Sequence, residues 1–423
     1  MDLWRYIKLI IFFFWKCLFK PIRPKVPKKV LSLKRFIIIE LSNSRNKESL
    51  FFPNLQILLL KFTLSIRIFV YSIIFFKYFN LEILSYFCFS SVIIIKDIVH
   101  TMLLLNEENI SKIVEDHLSE ITNTIEEAII NAENDKYIIP IRMHISQAEN
   151  THLIMPVYSE KFYSTKLVSV FPNNTKKNVP VINGMISLNS SRTGEALALL
   201  NGATVTGYRT GAVGAVGLRY LTSEDVDTLG VVGAGVQGYH QVIAASKERD
   251  FKKILIYDID NTKAIALQQK LIYILKSDII DISENIENFV QQCDVIITAT
   301  TSPVPVLPDD KNLLAGKTII AIGSFTPQMK ELPNALFHHI DKCYVDTKIA
   351  IKESGDLINP LNEHLLKEDD ILLLGEAIQH KIKLKENQSY LFKSVGMALF
   401  DLYAASKIYE IALKEGIGLN YNL

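Results

Sequence analysis

Glycine and alanine are absent from the first 101 residues of this 423-residue chain, which we call the leader. Glycine alone usually makes up about 7% of a protein, so the leader differs from ordinary globular sequence. It holds 14 of the 22 phenylalanines, with 16 Lys and Arg against 5 Asp and Glu. The remaining residues carry 30 Lys and Arg against 40 Asp and Glu, so the net charge of +1 conceals two segments of opposite charge.

The leader also lacks a clean hydrophobic span. The apolar stretch of residues 55–76 is long enough to cross a bilayer, but Lys61 and Arg67 interrupt it, at a cost of about 2.5 to 3.5 kcal/mol for each charge at mid-helix depth. Three interpretations compete: a poorly formed membrane anchor, a targeting segment, or upstream AT-rich DNA translated in frame. We favour the third, with Met102 as the true start, and expect membrane association only if the leader is made.

Cysteine is scarce, and its spacing excludes two kinds of site. The four cysteines form no CxxC pair and no His/Cys zinc pattern, so we expect no metal and reduced thiols in a cytoplasmic protein. The overall charge near zero gives no reason to expect a nucleic-acid partner.

What the chain does have is a glycine-rich nucleotide signature in TLGVVGAGVQGYH. A short apolar strand, residues 229–232, is followed by Gly233, Gly235 and Gly238 in the GxGxxG spacing and then by a helix. Such glycines permit a tight turn, the approach of a pyrophosphate and close packing of helix on strand. We therefore expect this loop, with Val236 and Gln237, to bind a dinucleotide at the helix N-terminus.

An acidic residue at the end of the next strand bears on the choice of cofactor. Asp258 follows residues 254–257 and lies about twenty residues beyond the last glycine, where a carboxylate accepts hydrogen bonds from the adenosine ribose hydroxyls. The surrounding sequence YDIDNT has no arginine for a 2'-phosphate. NAD(H) is therefore favoured, with NADP(H) as the alternative.

Strand and helix patterns alternate from residue 227 onward, with short apolar strands at 229–232, 254–257, 279–282, 295–299, 318–322 and 343–346. This alternation predicts an α/β fold with a Rossmann-type, doubly wound parallel sheet. Residues 102–224 are predicted to form a second, α+β domain. It has one or two amphipathic helices at 107–132, strands at 137–145, 152–157, 167–171 and 184–188, and a helix at 211–220. We assign 225–392 to the nucleotide domain and 393–423 to a C-terminal helix that packs back on the first domain.

Three cations outside the nucleotide signature stand at notable places. Arg142 lies in PIRMHI, Lys166 begins an apolar run, and Arg209 opens a helix of small residues. If they converged on one cleft they would suit an α-carboxylate, since an arginine fork binds it bidentately and a lysine adds a point charge. The sequence by itself does not establish the convergence.

The residues also carry a resemblance that covers essentially all of 102–423. The segments MPVYSEKFYSTKLVSVFPNN, YRTGAVGAV, GAGVQG, CDVIITATTS, AIGSFTPQMKELP, YVDTKIAIKESGDL and FKSVGMALFDLYAA occur in this order, and together they resemble the ornithine cyclodeaminase/mu-crystallin family. The resemblance implies a homodimer in which residues 102–224 and the last helix form a substrate-binding and dimerisation domain beside the Rossmann domain.

The resemblance also implies site residues. Arg142, Lys166 and Arg209 match the substrate-carboxylate and catalytic positions, with Thr210 beside them near the cofactor. The remaining cofactor residues expected are Gly233, Gly235, Val236, Gln237, Gly238, Asp258, Thr300, Gly323 and Ser324, while Thr326 and the loop 394–396 are expected to line the nicotinamide pocket.

One position departs from the cyclodeaminase pattern. Anchoring GSFTPQMKEL on Pro327 and Glu331 places Phe325 where cyclodeaminases carry their catalytic aspartate. Phenylalanine neither activates water nor carries a proton. The expected reaction is therefore reduction of a cyclic ketimine carboxylate of the Δ1-pyrroline-2-carboxylate type to an L-amino acid such as proline. The alternatives are ornithine cyclodeaminase, and a non-catalytic, crystallin-like NAD(P)H-binding protein.

Overall fold

The computed structural model describes residues 101–177, 179–385 and 387–422. Apart from Thr101, the predicted leader lies outside the described residues, and so does its apolar stretch at 55–76. Within the described part of the chain, no helix has the length and apolar character needed to cross a membrane.

The described residues form fifteen strands and ten α-helices. The strands are β1 (Thr101–Leu105), β2 (Met143–Gln147), β3 (Asn150–Tyr158), β4 (Phe162–Val170), β5 (Ile182–Ser190), β6 (Ala196–Asn201), β7 (Thr228–Val232), β8 (Lys253–Tyr257), β9 (Ile280–Ile282), β10 (Val295–Thr298), β11 (Thr318–Ala321), β12 (Cys343–Val345), β13 (Ile371–Leu373), β14 (Tyr390–Lys393) and β15 (Leu419–Asn422). The helices are α1 (Glu107–Ile130), α2 (Gly202–Leu221), α3 (Val236–Glu248), α4 (Asn261–Leu275), α5 (Ile286–Gln292), α6 (Lys311–Leu314), α7 (Ala350–Glu353), α8 (Gly355–Asn362), α9 (Leu374–Gln379) and α10 (Ala398–Glu415). Short 3-10 helices span Pro172–Lys177, Asn334–His338 and Glu368–Asp370.

The strands form two sheets. The second sheet along the chain has eight parallel strands in the order β13-β12-β14-β11-β10-β7-β8-β9. Its strand order reverses direction between β7 and β10, and ligands bind such sheets at this switch point, beyond the carboxyl ends of the strands. The registers align Val232, Thr298, Ala321 and Lys393, which end β7, β10, β11 and β14, in one row. The predicted doubly wound parallel sheet is confirmed.

The first sheet has seven strands in the order β15-β1-β6-β5-β4-β3-β2. All of its pairs are antiparallel except the parallel pair of β1 and β6. The last strand, β15, pairs with β1, and α10 packs against α1 and against β3, β4 and β5. The C-terminal segment therefore completes this sheet and its helical layer.

Helix α1 shows how local sequence specifies the helical layer of the first sheet. The side chain of Asn106 accepts from the backbone N–H of Asn109, whose own side chain accepts from Asn106, forming a capping box. Apolar residues at helical spacing, among them Ile110, Ile113 and Ile121, are fully buried on one face.

Helix α2 is built for close approach to α3. A Cβ on Gly211 would lie 2.5 Å from the carbonyl oxygen of His240, so the two helix backbones pack at a distance that only glycine permits. The structure begins α2 at Gly202, nine residues before the predicted start, because Asn201 caps it by accepting from the N–H of Thr204. Small residues without clear periodicity hid this first part of the helix.

Some predicted boundaries differ from the structure. Residues 137–142 are not in a strand, and β2 begins only at Met143. Thr101, assigned to the leader, is the first residue of β1, and Lys393, assigned to the C-terminal segment, is the last residue of β14. These differences arise because short strands are defined by their partners, β15 and β6 for β1 and β11 and β12 for β14.

Candidate active site

The glycine loop after β7 is shaped for a phosphate group. Gly233 has a φ of +104°, which favours glycine, and a Cβ on Gly238 would overlap the carbonyl oxygen of Gly233. A Cβ on Gly235 would meet nothing within 4 Å, so this glycine leaves open space at the start of α3. No side chain caps the helix, which leaves its first N–H groups available to an anion. These features fit a dinucleotide pyrophosphate.

Asp258 is tied to the glycine loop by its own hydrogen bonds. Its Oδ2 accepts from the N–H of Ala234 at 2.7 Å, and its Oδ1 accepts from the N–H of Asp260 at 2.9 Å. A carboxylate has about four acceptor sites, so two remain for ribose hydroxyls. The neighbouring side chain of Ile259 is 96% exposed and carries no charge toward a 2'-phosphate.

Val236, Gln237 and Thr210 also lie around the start of α3. Val236 is exposed at the first position of this helix, and the buried Oε1 of Gln237 has no hydrogen-bond partner. Thr210 is buried on α2, where its carbonyl accepts from the side-chain amide of Gln241 at 2.8 Å. Its backbone is therefore fixed against α3.

Glu331 brings three of the predicted cofactor residues together. This fully buried carboxylate accepts from the backbone N–H groups of Thr300, Gly323 and Ser324, at 2.7, 2.8 and 3.1 Å, and from the hydroxyls of Thr298 and Thr300. It thereby joins the loops that follow β10 and β11. Burial raises the pKa of Glu331, against the lowering effect of Lys393.

The side chain of Ser324 is turned away from the cleft. It is fully buried, donates to the carbonyl of Met329 at 2.8 Å and shares a 2.8 Å hydrogen bond with the hydroxyl of Ser354. The next residue, Phe325, is 38% exposed. An apolar ring therefore stands where the cyclodeaminase pattern has an aspartate.

Lys166 and Arg209 meet at Asp401, a residue of α10. The Nζ of Lys166, on β4, lies 2.7 Å from Oδ2 of Asp401, and the Nε of Arg209, on α2, lies 3.0 Å from Oδ1. The three side chains are 3%, 7% and 1% exposed. Two of the three predicted cations are thus joined through one carboxylate of α10.

Arg142 reaches the same place from the segment before β2. Its Nη2 donates to the carbonyl of Gly396 at 2.7 Å and pairs with Glu353 at 2.9 Å. Gly396 has a φ of +72°, and a Cβ there would lie 2.9 Å from Nη1 of Arg209. Arg209 therefore links the two groups, since it contacts Asp401 beside Lys166 and lies against Gly396 beside Arg142.

Asp346 fixes the loop that carries Gly396. It is buried and accepts from the hydroxyl of Ser394 at 2.6 Å and from the N–H groups of Val395 and Gly396 at 3.1 and 2.8 Å. Because this loop follows β14, it leaves the carboxyl edge of the parallel sheet beside the loops that Glu331 joins.

Burial and charge act in opposite directions on the two central groups. Burial lowers the pKa of Lys166 to about 8; Asp401 counteracts this, whereas Arg209 and Arg142 add to it. Burial alone would raise the pKa of Asp401, but Lys166 and Arg209 hold it below its usual value.

Local sequence patterns do not identify the carboxylates that surround the three cations. Asp401, Glu353 and Asp346 have partners far away in the chain, so no local spacing marks them. Their apolar surroundings, as in LFDLYAA and CYVDT, were the available signal, since a charge amid buried residues needs a partner. In the part of the chain that the structure describes, no group of His, Cys, Asp and Glu side chains is arranged to hold a metal ion.

Comparison with known proteins identifies the family of this chain. A model of the ornithine cyclodeaminase/mu-crystallin family matches residues 100–416. A Δ1-pyrroline-2-carboxylate reductase of Bacillus cereus is 35% identical over 294 residues, which cover 67% of this chain and 89% of that protein. The ketimine reductase mu-crystallin of Rattus norvegicus is 30% identical over 277 residues, which cover 64% of this chain and 84% of that protein.

Among solved structures, Δ1-pyrroline-2-carboxylate reductase of Thermococcus litoralis, in complex with NADH and L-proline, is similar with a TM-score of 0.70. It is 32% identical, and the match covers 76% of this chain and all of that one. An archaeal alanine dehydrogenase dimer with bound NAD has a TM-score of 0.69 at 25% identity, and the match covers 76% of this chain and 99% of that one. The chain belongs to the ornithine cyclodeaminase/mu-crystallin family.

Proposed function

We propose that this protein reduces a cyclic ketimine carboxylate of the Δ1-pyrroline-2-carboxylate type to an L-amino acid such as proline. One observation carries the proposal: Arg142 and Arg209 lie against Gly396, and Asp401 joins Arg209 to Lys166. The loop that carries Gly396 leaves the same edge of the parallel sheet as the glycine loop of the cofactor site. A substrate carboxylate bound there would lie at the carboxyl edge of the sheet, where the glycine loop of the cofactor site also lies. The relatives named as reductases of this substrate support the same reaction.

The reaction needs a hydride and a proton. Bound NADH supplies the hydride to the imine carbon, the C=N bond becomes a single bond, and the nitrogen takes the proton. Arg142 and Arg209 bind the substrate carboxylate, and the Lys166 ammonium stabilises its charge or gives the proton. A lysine with a pKa of about 8 suits proton transfer near neutral pH.

Two observations disfavour the alternatives. Ornithine cyclodeamination must move protons as ammonia leaves, and the exposed ring of Phe325 carries no proton where that family branch has a carboxylate. A protein that only stores NAD(P)H has no need of three buried or half-buried cations held in place by Asp401 and Glu353, and all three are present. NAD(H) is the cofactor favoured, because Asp258 meets the ribose position and the exposed Ile259 offers no positive charge to a 2'-phosphate.

We further propose that two copies of the chain pair through the outer face of the first sheet. The registers place Met143, Ile154, Leu167 and Met185 in one row across β2, β3, β4 and β5. Met143, Leu167 and Met185 are 56%, 43% and 48% exposed, and Ile141 and Ile145 add to this apolar patch. Exposed patches of this kind mark interaction sites. The dimeric archaeal relative supports a homodimer.

The test is a pair of assays on the purified full-length protein. We expect it to oxidise NADH when Δ1-pyrroline-2-carboxylate is added and to release no ammonia from L-ornithine with NAD. Ammonia release without NADH oxidation would establish the cyclodeaminase instead. NADH binding without either turnover would establish the non-catalytic alternative.

A further inference from the structure

Asp401 connects three distant segments inside the candidate site. It lies in the first turn of α10, is 1% exposed, and reaches Lys166 on β4 with one oxygen and Arg209 on α2 with the other. Both oxygens are engaged by cations, so any effect of Asp401 on a bound molecule passes through Lys166 and Arg209.

The charged groups of the candidate site are paired in two sets. Lys166 and Arg209 share the carboxylate of Asp401, while Arg142 pairs with Glu353. Within the described residues, the charges that act on Lys166 are Asp401 from α10, Arg209 from α2 and Arg142 from the segment before β2. Asp401 is the one anion among them.

We propose that Asp401 is a positioning residue that keeps Lys166 charged and holds it with Arg209 as one cationic pair for the substrate carboxylate. The inference rests on the proposed function, because Lys166 and Arg209 are two of the cations that the proposed function assigns to the substrate. Without Asp401, two buried cations would repel each other, and the lysine would give up its proton more readily.

The proposal has a signature in the pH profile. Removing the carboxylate takes away the interaction that raises the pKa of Lys166, while burial, Arg209 and Arg142 still lower it. In Asp401→Asn we expect the alkaline limb of kcat/KM to move down by about 1 to 3 pH units, the usual effect of an opposite charge at this range. We also expect KM for the ketimine to rise at least tenfold at pH 8.

The experiment compares full-length variants across pH 6 to 10. Glu410→Gln is the matched control, because Glu410 lies on the same helix but makes an exposed ion pair with Lys161. Lys166→Met and the double variant Lys166→Met with Asp401→Asn test whether Asp401 acts through the lysine. We expect the double variant to share the alkaline limb of Lys166→Met, at a lower kcat/KM because Arg209 has lost its partner, and Asp401→Glu to recover part of the alkaline limb of the wild-type protein.

Three results would overturn the proposal. The first is an alkaline limb and KM in Asp401→Asn equal to those of Glu410→Gln. The second is an alkaline limb that Asp401→Asn moves by a similar amount whether Lys166 is present or replaced. The third, decisive if Asp401→Asn does not fold, is a folded double variant whose alkaline limb lies well below that of Lys166→Met.

A separate measurement distinguishes this proposal from the proposed function. If the wild-type protein does not reduce the ketimine, the proposed function fails, and Asp401 is judged by the pH dependence of unfolding. Folded Lys166 has a pKa of about 8, below the unfolded 10.5, so its contribution to stability rises with pH across that window. We expect this rise to begin at lower pH in Asp401→Asn, and an unchanged onset would contradict the proposal.

Discussion

The most direct test of the cofactor site is replacement of Glu331 by glutamine. The carboxylate receives five hydrogen bonds, two at Oε1 and three at Oε2, from backbone N–H groups and hydroxyls. A glutamine amide presents one oxygen and one NH2 group in the same space. Whichever side carries the NH2, at least one buried backbone N–H then faces another donor.

The magnitude follows from those contacts. One unsatisfied buried donor costs about 1 to 3 kcal/mol, and the remaining hydrogen bonds lose the extra strength of a charged acceptor. We therefore expect Glu331→Gln to lower the free energy of unfolding by about 3 kcal/mol. With a urea m value of about 3 kcal/mol/M, this moves the unfolding midpoint down by about 1 M.

The assay combines urea unfolding with titration of NADH. Since Glu331 joins the loops after β10 and β11, we expect the Kd for NADH to rise at least tenfold in Glu331→Gln. Glu363→Gln is the control, because Glu363 accepts one hydrogen bond from Asn334 at the surface, and we expect its unfolding to change by less than about 0.5 kcal/mol. Equal midpoints and equal NADH affinities for the two variants would refute the reasoning.

Three further predictions address other parts of the structure. A Gly235→Ala variant should keep its melting temperature but bind NADH at least tenfold more weakly. Gly238→Ala should melt at a lower temperature, because its Cβ would overlap the Gly233 carbonyl. Equal melting temperatures for the two variants would argue against this loop geometry. Burial, followed by the charge of Lys270, lowers the pKa of His240 to about 4. The free energy of unfolding at pH 6.5 and above should therefore fall by about 3 kcal/mol as the pH drops to 4, because the unfolded histidine takes up a proton first. In urea unfolding, His240→Asn should flatten this dependence on pH. Replacing Met143 by aspartate should give monomers in light scattering at micromolar concentration, while Ile272→Asp on α4 should not.

The sequence could predict what depends on neighbours along the chain. The glycine loop and Asp258 were found because their spacing within one βαβ unit carries the chemistry, and the structure places them in contact. The parallel sheet was predictable because its short apolar strands recur between helices. The family was predictable because several sequence motifs that resemble it occur in a fixed order.

The carboxylates of the candidate site could not be predicted from neighbours along the chain. Asp401 is recognisable as an organiser only when β4, α2 and α10 are brought together, and Asp346 only when β14 is placed beside β12. Neither contact leaves a periodic signal in the sequence. A buried carboxylate in an apolar segment indicates that a partner exists but does not say which residue it is.

Strand β4 shows how functional side chains alter the alternation of apolar and polar residues that is expected of a half-buried strand. Ser164 and Lys166 point inward and are 1% and 3% exposed, whereas Leu167 points outward and is 43% exposed. The alternation is inverted relative to an ordinary half-buried strand, so the prediction began the strand only at Leu167. The inversion has two separate causes: the inward lysine meets Asp401, and the outward leucine joins the apolar row that we propose as the dimer face. A one-residue slip of β4 would bury Leu167 against a carboxylate and expose the lysine, so the same register that assembles the cationic pair also presents the dimer surface.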